Sequence, residues 1–136
     1  MTTPNVTIST SPIHGKGLFA ARDFDAGEKI LSWAECAEIL SDQDARDLPP
    51  YEQKFLSYID GQNILFKAPA RFINHSCDPN ILGKEGYDVA IRSIKKGEEL
   101  NADYVLEQVP GLNIICNCGA EKCRRQLVVL PRSRDQ

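Results

Sequence analysis

The residues best suited to chemistry gather in three stretches. Arg71 to Asn80 reads RFINHSCDPN, which places two amide side chains (Asn74, Asn80), an imidazole (His75), a thiol (Cys77) and a proline (Pro79) in one short segment. That is too much polar chemistry for a strand core and too many special residues for an idle loop. Gly97 to Tyr104 reads GEELNADY and ends on a phenol. Cys116 to Cys123 reads CNCGAEKC, three thiols spaced Cys-x-Cys-x4-Cys, with Gly119 as a turn former between the pair and the third. Three clustered thiolates are the pattern of a metal site, and structural zinc takes four ligands in a tetrahedron. Each stretch also has a plain reading: inert reduced thiols, a buried imidazole satisfied by backbone, a core tyrosine ending a strand.

The segments that must hold these groups are short and mostly extended. Val6 to Ser9 alternates as an edge strand, and Ser11-Pro12 and Gly15-Lys16-Gly17 turn into a buried strand, Leu18 to Ala21. Taken alone, Gly15-Lys16-Gly17 is a hairpin turn. It lacks the third glycine and helix of a dinucleotide fingerprint, and no Ser or Thr stands where a phosphate loop needs one. Asp25-Ala26-Gly27 turns into Lys29 to Trp33. Ser41 caps a helix that Pro49-Pro50 ends near Leu48. Phe55 to Ile59 and Asn63 to Phe66 form a hairpin about Asp60-Gly61. Val89 to Ile94 is a strand, Lys95-Lys96-Gly97 a turn, and Glu98 to Tyr104 a further segment. Many short strands with little helix predict a mainly β, β-rich α+β domain.

At 136 residues the chain is expected to be one domain without an appended module. Its net charge of −3 argues against direct nucleic-acid binding through the backbone and suits a basic peptide or protein better. No apolar run approaches the ~18 residues of a membrane span. Met1 to Pro12 lacks the apolar stretch of a signal peptide, so the expected setting is intracellular, cytoplasmic or nuclear. Five cysteines, an odd count without a secretory signal, argue against a disulfide framework. Nothing in the sequence bears on oligomeric state.

The order RFxNHSCxPN, then GEEL-x-x-DY, then C-x-C-x4-C, preceded by GKGLFA at Gly15 to Ala20, resembles the SET-domain protein lysine methyltransferases with a post-SET zinc motif. The resemblance covers about residues 6 to 130, with a SET domain over 6–109 and a post-SET zinc-binding segment over 110–130. It implies a β-clip-like fold of several small curved sheets around a knot-like crossing of the RFINHSC and NADY segments. It implies S-adenosylmethionine and Zn(2+) as cofactors and a lysine-bearing protein, a histone or other basic protein, as partner. By the same resemblance Lys16, Gly17, Leu18, Arg71, Asn74, His75, Tyr104 and Leu127 contact the cofactor, and a Cβ at the glycine turn would block its approach. Tyr104 is the catalytic residue, orienting the amine without acting as a base, and Tyr58 and Ala102 border the substrate channel. Cys77 completes the zinc set with Cys116, Cys118 and Cys123, while Cys36 packs as a small apolar residue.

Four departures from the family pattern stand out. Ala68-Pro69-Ala70 replaces a common Gly-Asn step, and Asn101 replaces a small hydroxyl residue. Ala102 occupies the place of an aromatic that limits how many methyl groups fit on the lysine, so its loss favours higher methylation states or a weakened enzyme. Arg124-Arg125 follows Cys123 where relatives often carry Arg-Gly. Two rivals follow: a catalytically degenerate SET-fold module that binds a peptide or partner, and a zinc-dependent structural protein with no use for S-adenosylmethionine.

Overall fold

The computed structural model describes residues 5–110 and 112–129. The expectations that touch Met1 to Pro4 and Leu130 therefore lie outside the described residues. Among the described residues the strands form four small sheets. The first joins β1 (Val6–Thr10), β2 (Lys16–Ala20), β10 (Glu99–Ala102) and β7 (Asn74–His75) in the order β1-β2-β10-β7. β1 and β2 pair antiparallel from Val6↔Ala20 to Thr10↔Lys16. The last pair is the unusual one: β10 runs parallel to β7, Asn101 beside Asn74 and Ala102 beside His75. Two stretches far apart in sequence thus meet side by side, where the NADY and RFINHSC segments were expected to cross.

The second sheet orders β3 (Lys29–Ser32), β9 (Tyr87–Ala90) and β8 (Ile81–Lys84), and the third β4 (Ala37–Leu40), β6 (Gln62–Phe66) and β5 (Leu56–Ile59). β11 (Asn113–Ile115) and β12 (Gln126–Val128) form a separate ribbon in the tail. The β5–β6 hairpin turns on Asp60 and Gly61, at φ 53° and 76°, the two left-handed residues that a tight two-residue hairpin requires. Short helices fill the insert: α1 (Trp33–Cys36), α2 (Asp42–Arg46) and α3 (Pro50–Gln53). Ser41 caps α2 by accepting from the Asp44 N–H at 3.1 Å. Pro50 does more than end a helix, because it opens α3, where its missing N–H costs nothing. The strand expected to reach Ile94 stops at Ala90, and Ile94 instead makes an isolated bridge to Phe24.

Leu18, Ala20, Phe24, Ile30, Ile81, Ile94 and Leu100 form the main core. A second cluster of Cys77, Val109, Leu112 and Leu127 packs the tail against Tyr104 and Val105. That second core seats the C-terminal ribbon on the β7–β10 crossing.

Candidate active site

The crossing is fixed by amides. The Asn74 Nδ2 donates to the carbonyls of His14 and Lys16 at 3.0 and 3.1 Å and to Glu99 Oε2 at 3.0 Å. Ser11 Oγ donates to both oxygens of the same carboxylate, at 2.8 and 2.7 Å. A Cβ on Gly17 would sit 2.3 Å from Glu99 Oε2 and 2.9 Å from the Ser11 Cβ. Gly17 is therefore small to admit the Glu99 carboxylate, which locks the glycine turn to β10. On the other side Asn80 Nδ2 donates to the Glu99 carbonyl at 2.9 Å, and Asn80 Oδ1 accepts from the Asn101 N–H at 2.9 Å. Asn101 returns the contact, its Oδ1 accepting from the Asn80 N–H at 3.1 Å. The larger amide in place of a hydroxyl residue is absorbed into this reciprocal pair.

A cleft of about 580 Å³ opens over the crossing, a size that suits a small-molecule cofactor. It is lined by the turn Ile13 to Lys16, by Arg71, Phe72, Asn74, His75 and Tyr104, and by Leu112, Ile114 and Ile115 of the tail. Behind it lies a smaller recess of about 30 Å³, lined by Ile73, Ala102, Ser57, Phe66, Asp88 and Glu107 among others. Lys54, Phe55, Arg71 and Tyr104 belong to the walls of both.

Tyr104 stands in that shared wall. Its hydroxyl donates to the Ile73 carbonyl, and burial, with Glu107 and Glu99 nearby, pushes the phenol above its ordinary range, so it remains a neutral donor. Its backbone N–H donates to His75 Nδ1 at 3.0 Å. That bond leaves the hydrogen on Nε2, which faces Cys77 Sγ at 3.3 Å. Burial lowers the His75 pKa, which keeps the ring neutral. Both imidazole nitrogens are thus engaged within the chain, linking the phenol's backbone to the thiol cluster.

Cys77, Cys116, Cys118 and Cys123 bring four sulfurs within 4.8 Å of one another. The Cys77 and Cys116 sulfurs are 3.8 Å apart, too far for a disulfide, and all five cysteines are free. A zinc–sulfur bond of about 2.3 Å implies tetrahedral sulfur–sulfur edges of about 3.8 Å, so the donor set fits a zinc ion. Backbone N–H groups support the sulfurs from outside: Arg124 N–H donates to Cys77 at 3.3 Å and Arg125 N–H to Cys123 at 3.4 Å. Arg125 reaches this position with φ 67°, so it keeps a left-handed turn where relatives often carry glycine. Asp103 adds an ion pair with Arg124 across to the tail.

Lys16, Arg71, Asn74, His75 and Tyr104 of the expected cofactor set all border the cleft. Gly17, Leu18 and Leu127 are not among the residues that line it, and Leu18 and Leu127 are buried in the two cores. Ala102 lines the recess, whereas Tyr58 lies outside both walls. Cys36 is buried away from the sulfur cluster, its thiol donating to the Ser32 carbonyl at 3.2 Å. The sequence reading missed Asp88 and Glu107. For Asp88 a signal existed: it alternates with Ala90 on the inward face of β9. Glu107 carried none, since an acid three residues after Tyr104 reads as a solvated turn.

The sequence model of the SET domain family matches residues 15–105 of the chain. Histone-lysine N-methyltransferase 2B of Homo sapiens is 35% identical over 138 residues, which cover 90% of this chain and 5% of that protein. Histone-lysine N-methyltransferase trithorax of Drosophila virilis is 34% identical over 141 residues, 90% of this chain and 4% of the relative. Histone-lysine N-methyltransferase ASHH3 of Arabidopsis thaliana is 33% identical over 135 residues, 86% of this chain and 36% of the relative. The chain belongs to the SET domain family. It spans a small fraction of the length of these curated relatives, and among the described residues no helix is long and apolar enough to cross a membrane.

Proposed function

We propose that the chain is a protein-lysine N-methyltransferase that transfers a methyl group from S-adenosylmethionine to the side-chain amine of a lysine in a protein substrate. The observation that carries this reading is the position of Tyr104 in the wall common to a cofactor-sized cleft and a narrow recess. S-adenosylmethionine belongs in the cleft, against Lys16, Arg71, Asn74, His75 and Tyr104, and the lysine amine meets it at the wall the cleft shares with the recess. When bound, the cofactor supplies a methyl carbon on a positively charged sulfur, the electrophile for an amine lone pair. The residues must present that lone pair in line and keep water out. A free lysine amine has a pKa of about 10.4, so it has to lose a proton before it can react. The apolar part of the wall, Phe55, Phe66, Ile73 and Ala102, disfavours the charged form by desolvation. Tyr104, whose neutral hydroxyl gives its hydrogen to the Ile73 carbonyl, offers an oxygen lone pair to an amine N–H and so orients the amine.

Cys77, Cys116, Cys118 and Cys123 would hold one zinc ion with a structural role, joining a SET unit that runs to residue 109 to a segment that begins at 110. Such a site needs reduced thiols, which agrees with the intracellular setting expected from the sequence. The relatives are named for histone lysine, so core histones are the first substrates to try. The test is methyl incorporation from labelled S-adenosylmethionine into core histones and lysate protein, with mass spectrometry of the products. Methyl-lysine that depends on the added protein is the expected result. No incorporation into any of these proteins overturns the reading.

A further inference from the structure

Two acids, Asp88 and Glu107, line the recess that Tyr104 borders. Asp88 on β9 is 2% exposed and Glu107, on the turn after β10, is 8% exposed. Asp88 Oδ1 accepts one bond from the Trp33 indole at 3.3 Å, while its Oδ2 is buried without any partner. Glu107 accepts one from Ser57 Oγ at 3.4 Å. Burying a carboxylate with so few donors costs stability, and native folds rarely leave a buried polar atom unpaired. The orphan oxygen belongs to a residue of the recess wall, and the recess has the volume of about two waters at ~10–15 Å³ each. Ala102 lines the same recess with only a methyl group, and a bulky ring in its place would take up that volume.

We propose that Asp88 and Glu107 form a shared proton acceptor at the floor of the recess, which takes the proton that the substrate ammonium sheds before methyl transfer. The inference rests on the function proposed above. In the step, one N–H bond of the lysine ammonium breaks and its electron pair stays on nitrogen as the attacking lone pair. The proton passes through water in the recess and forms an O–H bond on a carboxylate oxygen. It returns to solvent when the product leaves. No oxidant or other reactant enters.

The ionisable groups facing Glu107 are Asp88 on β9, Asp103 and Tyr104 after β10, and Lys54 and Arg71 where the recess meets the cleft. Cys36 on α1 faces Asp88. Burial raises Glu107 to about 8, with Asp88 and Asp103 adding to the rise, and burial raises Asp88 to about 6. Near neutral pH the pair therefore retains a proton and a charge together, which suits an acceptor working at that pH.

The test compares kcat/KM of the parent chain, Glu107→Gln and Asp88→Asn from pH 7 to 10, with core histones and lysate protein as substrate. Cofactor affinity by calorimetry serves as the check on folding. At pH 7.5 each amide variant should lose at least about tenfold, within the range for a positioned base. By pH 10 the loss should shrink to about threefold or less, because solvent then frees the amine unaided. An equal loss at both pH values, or none, overturns the proposal while leaving the methyltransferase function standing. If one variant fails to fold, the other decides. If the parent transfers no methyl to any lysine, the function falls and the acceptor with it.

Discussion

Tyr104 owes its suitability to two bonds that point opposite ways: its hydroxyl to the Ile73 carbonyl and its backbone N–H to His75. Removing the oxygen should therefore disturb the reacting amine and deprive the Ile73 carbonyl of this bond, while leaving the His75 contact in place. Tyr104→Phe is expected to lower kcat by about 10²-fold or more while S-adenosylmethionine affinity changes less than about threefold, the pattern of a group used in the transition state. Near-normal turnover would take Tyr104 out of the mechanism. Ala102 sets a second limit at this scale. Because it lines the recess with only a methyl group, the parent should carry products to trimethyl-lysine, and Ala102→Phe should stop earlier. Product mass spectra check this, and a parent that yields only monomethyl-lysine contradicts it. Tyr104 and the sulfur ligands stood out in the sequence because each sits in a dense run of special residue types. Asp88 and Glu107 were less legible: the alternation of β9 marks position 88 as inward-facing, but an acid announces no role until the burial of its side chain is known.

Among the elements, the tail depends most on something other than its own packing. β11 and β12 expose Ile114, Ile115 and Val128, and Leu112 and Leu127 are their contribution to the second core. Three of four sulfurs come from the loop of this ribbon and the fourth from the segment after β7, so a metal would tie the tail residues that line the cleft to the segment that carries Asn74 and His75. Purified protein is expected to carry one zinc per chain, and serine at Cys77, Cys116, Cys118 or Cys123 should lower occupancy, a hydroxyl being a much poorer zinc ligand than a thiolate. Cys36→Ser, outside the cluster, should not. Metal analysis giving less than about half a zinc per chain, or an equal loss from Cys36→Ser, would refute the assignment. The spacing of the cysteines made this site legible, as Asp60-Gly61 and Ser41 did for the hairpin and the helix cap. The parallel pairing of β7 with β10 was not written in periodicity, because β7 is only two residues long and carries no alternation to read. The glycine turn shows a subtler limit. Gly17 is required, but by a carboxylate 82 positions later that only the folded sheet brings near.

For the molecule as a whole, two buried acids leave a signature in the dependence of stability on pH. Glu107 moves from an ordinary value of 4.5 to about 8 on folding, and Asp88 from 3.8 to about 6. A folded state with the higher pKa binds more protons than the unfolded chain between those values, so unfolding free energy must fall as pH rises through the window. The Glu107 contribution is fully present below about pH 4.5 and is lost as pH climbs through about 8. Zinc release on acidification pulls the other way, since thiolates that take up protons let the metal go. The parent's own profile therefore mixes both effects. The difference between parent and Glu107→Gln separates them, because the two chains share the same sulfur ligands. Glutamine keeps the size of the acid but cannot ionise. Its denaturant midpoint should gain on the parent steadily from about pH 5 to pH 8.5, with the gain levelling off beyond the folded pKa. A constant offset across that range would mean that Glu107 is already ionised near pH 5 in the folded chain, as it is in the unfolded one, and that burial does not raise it.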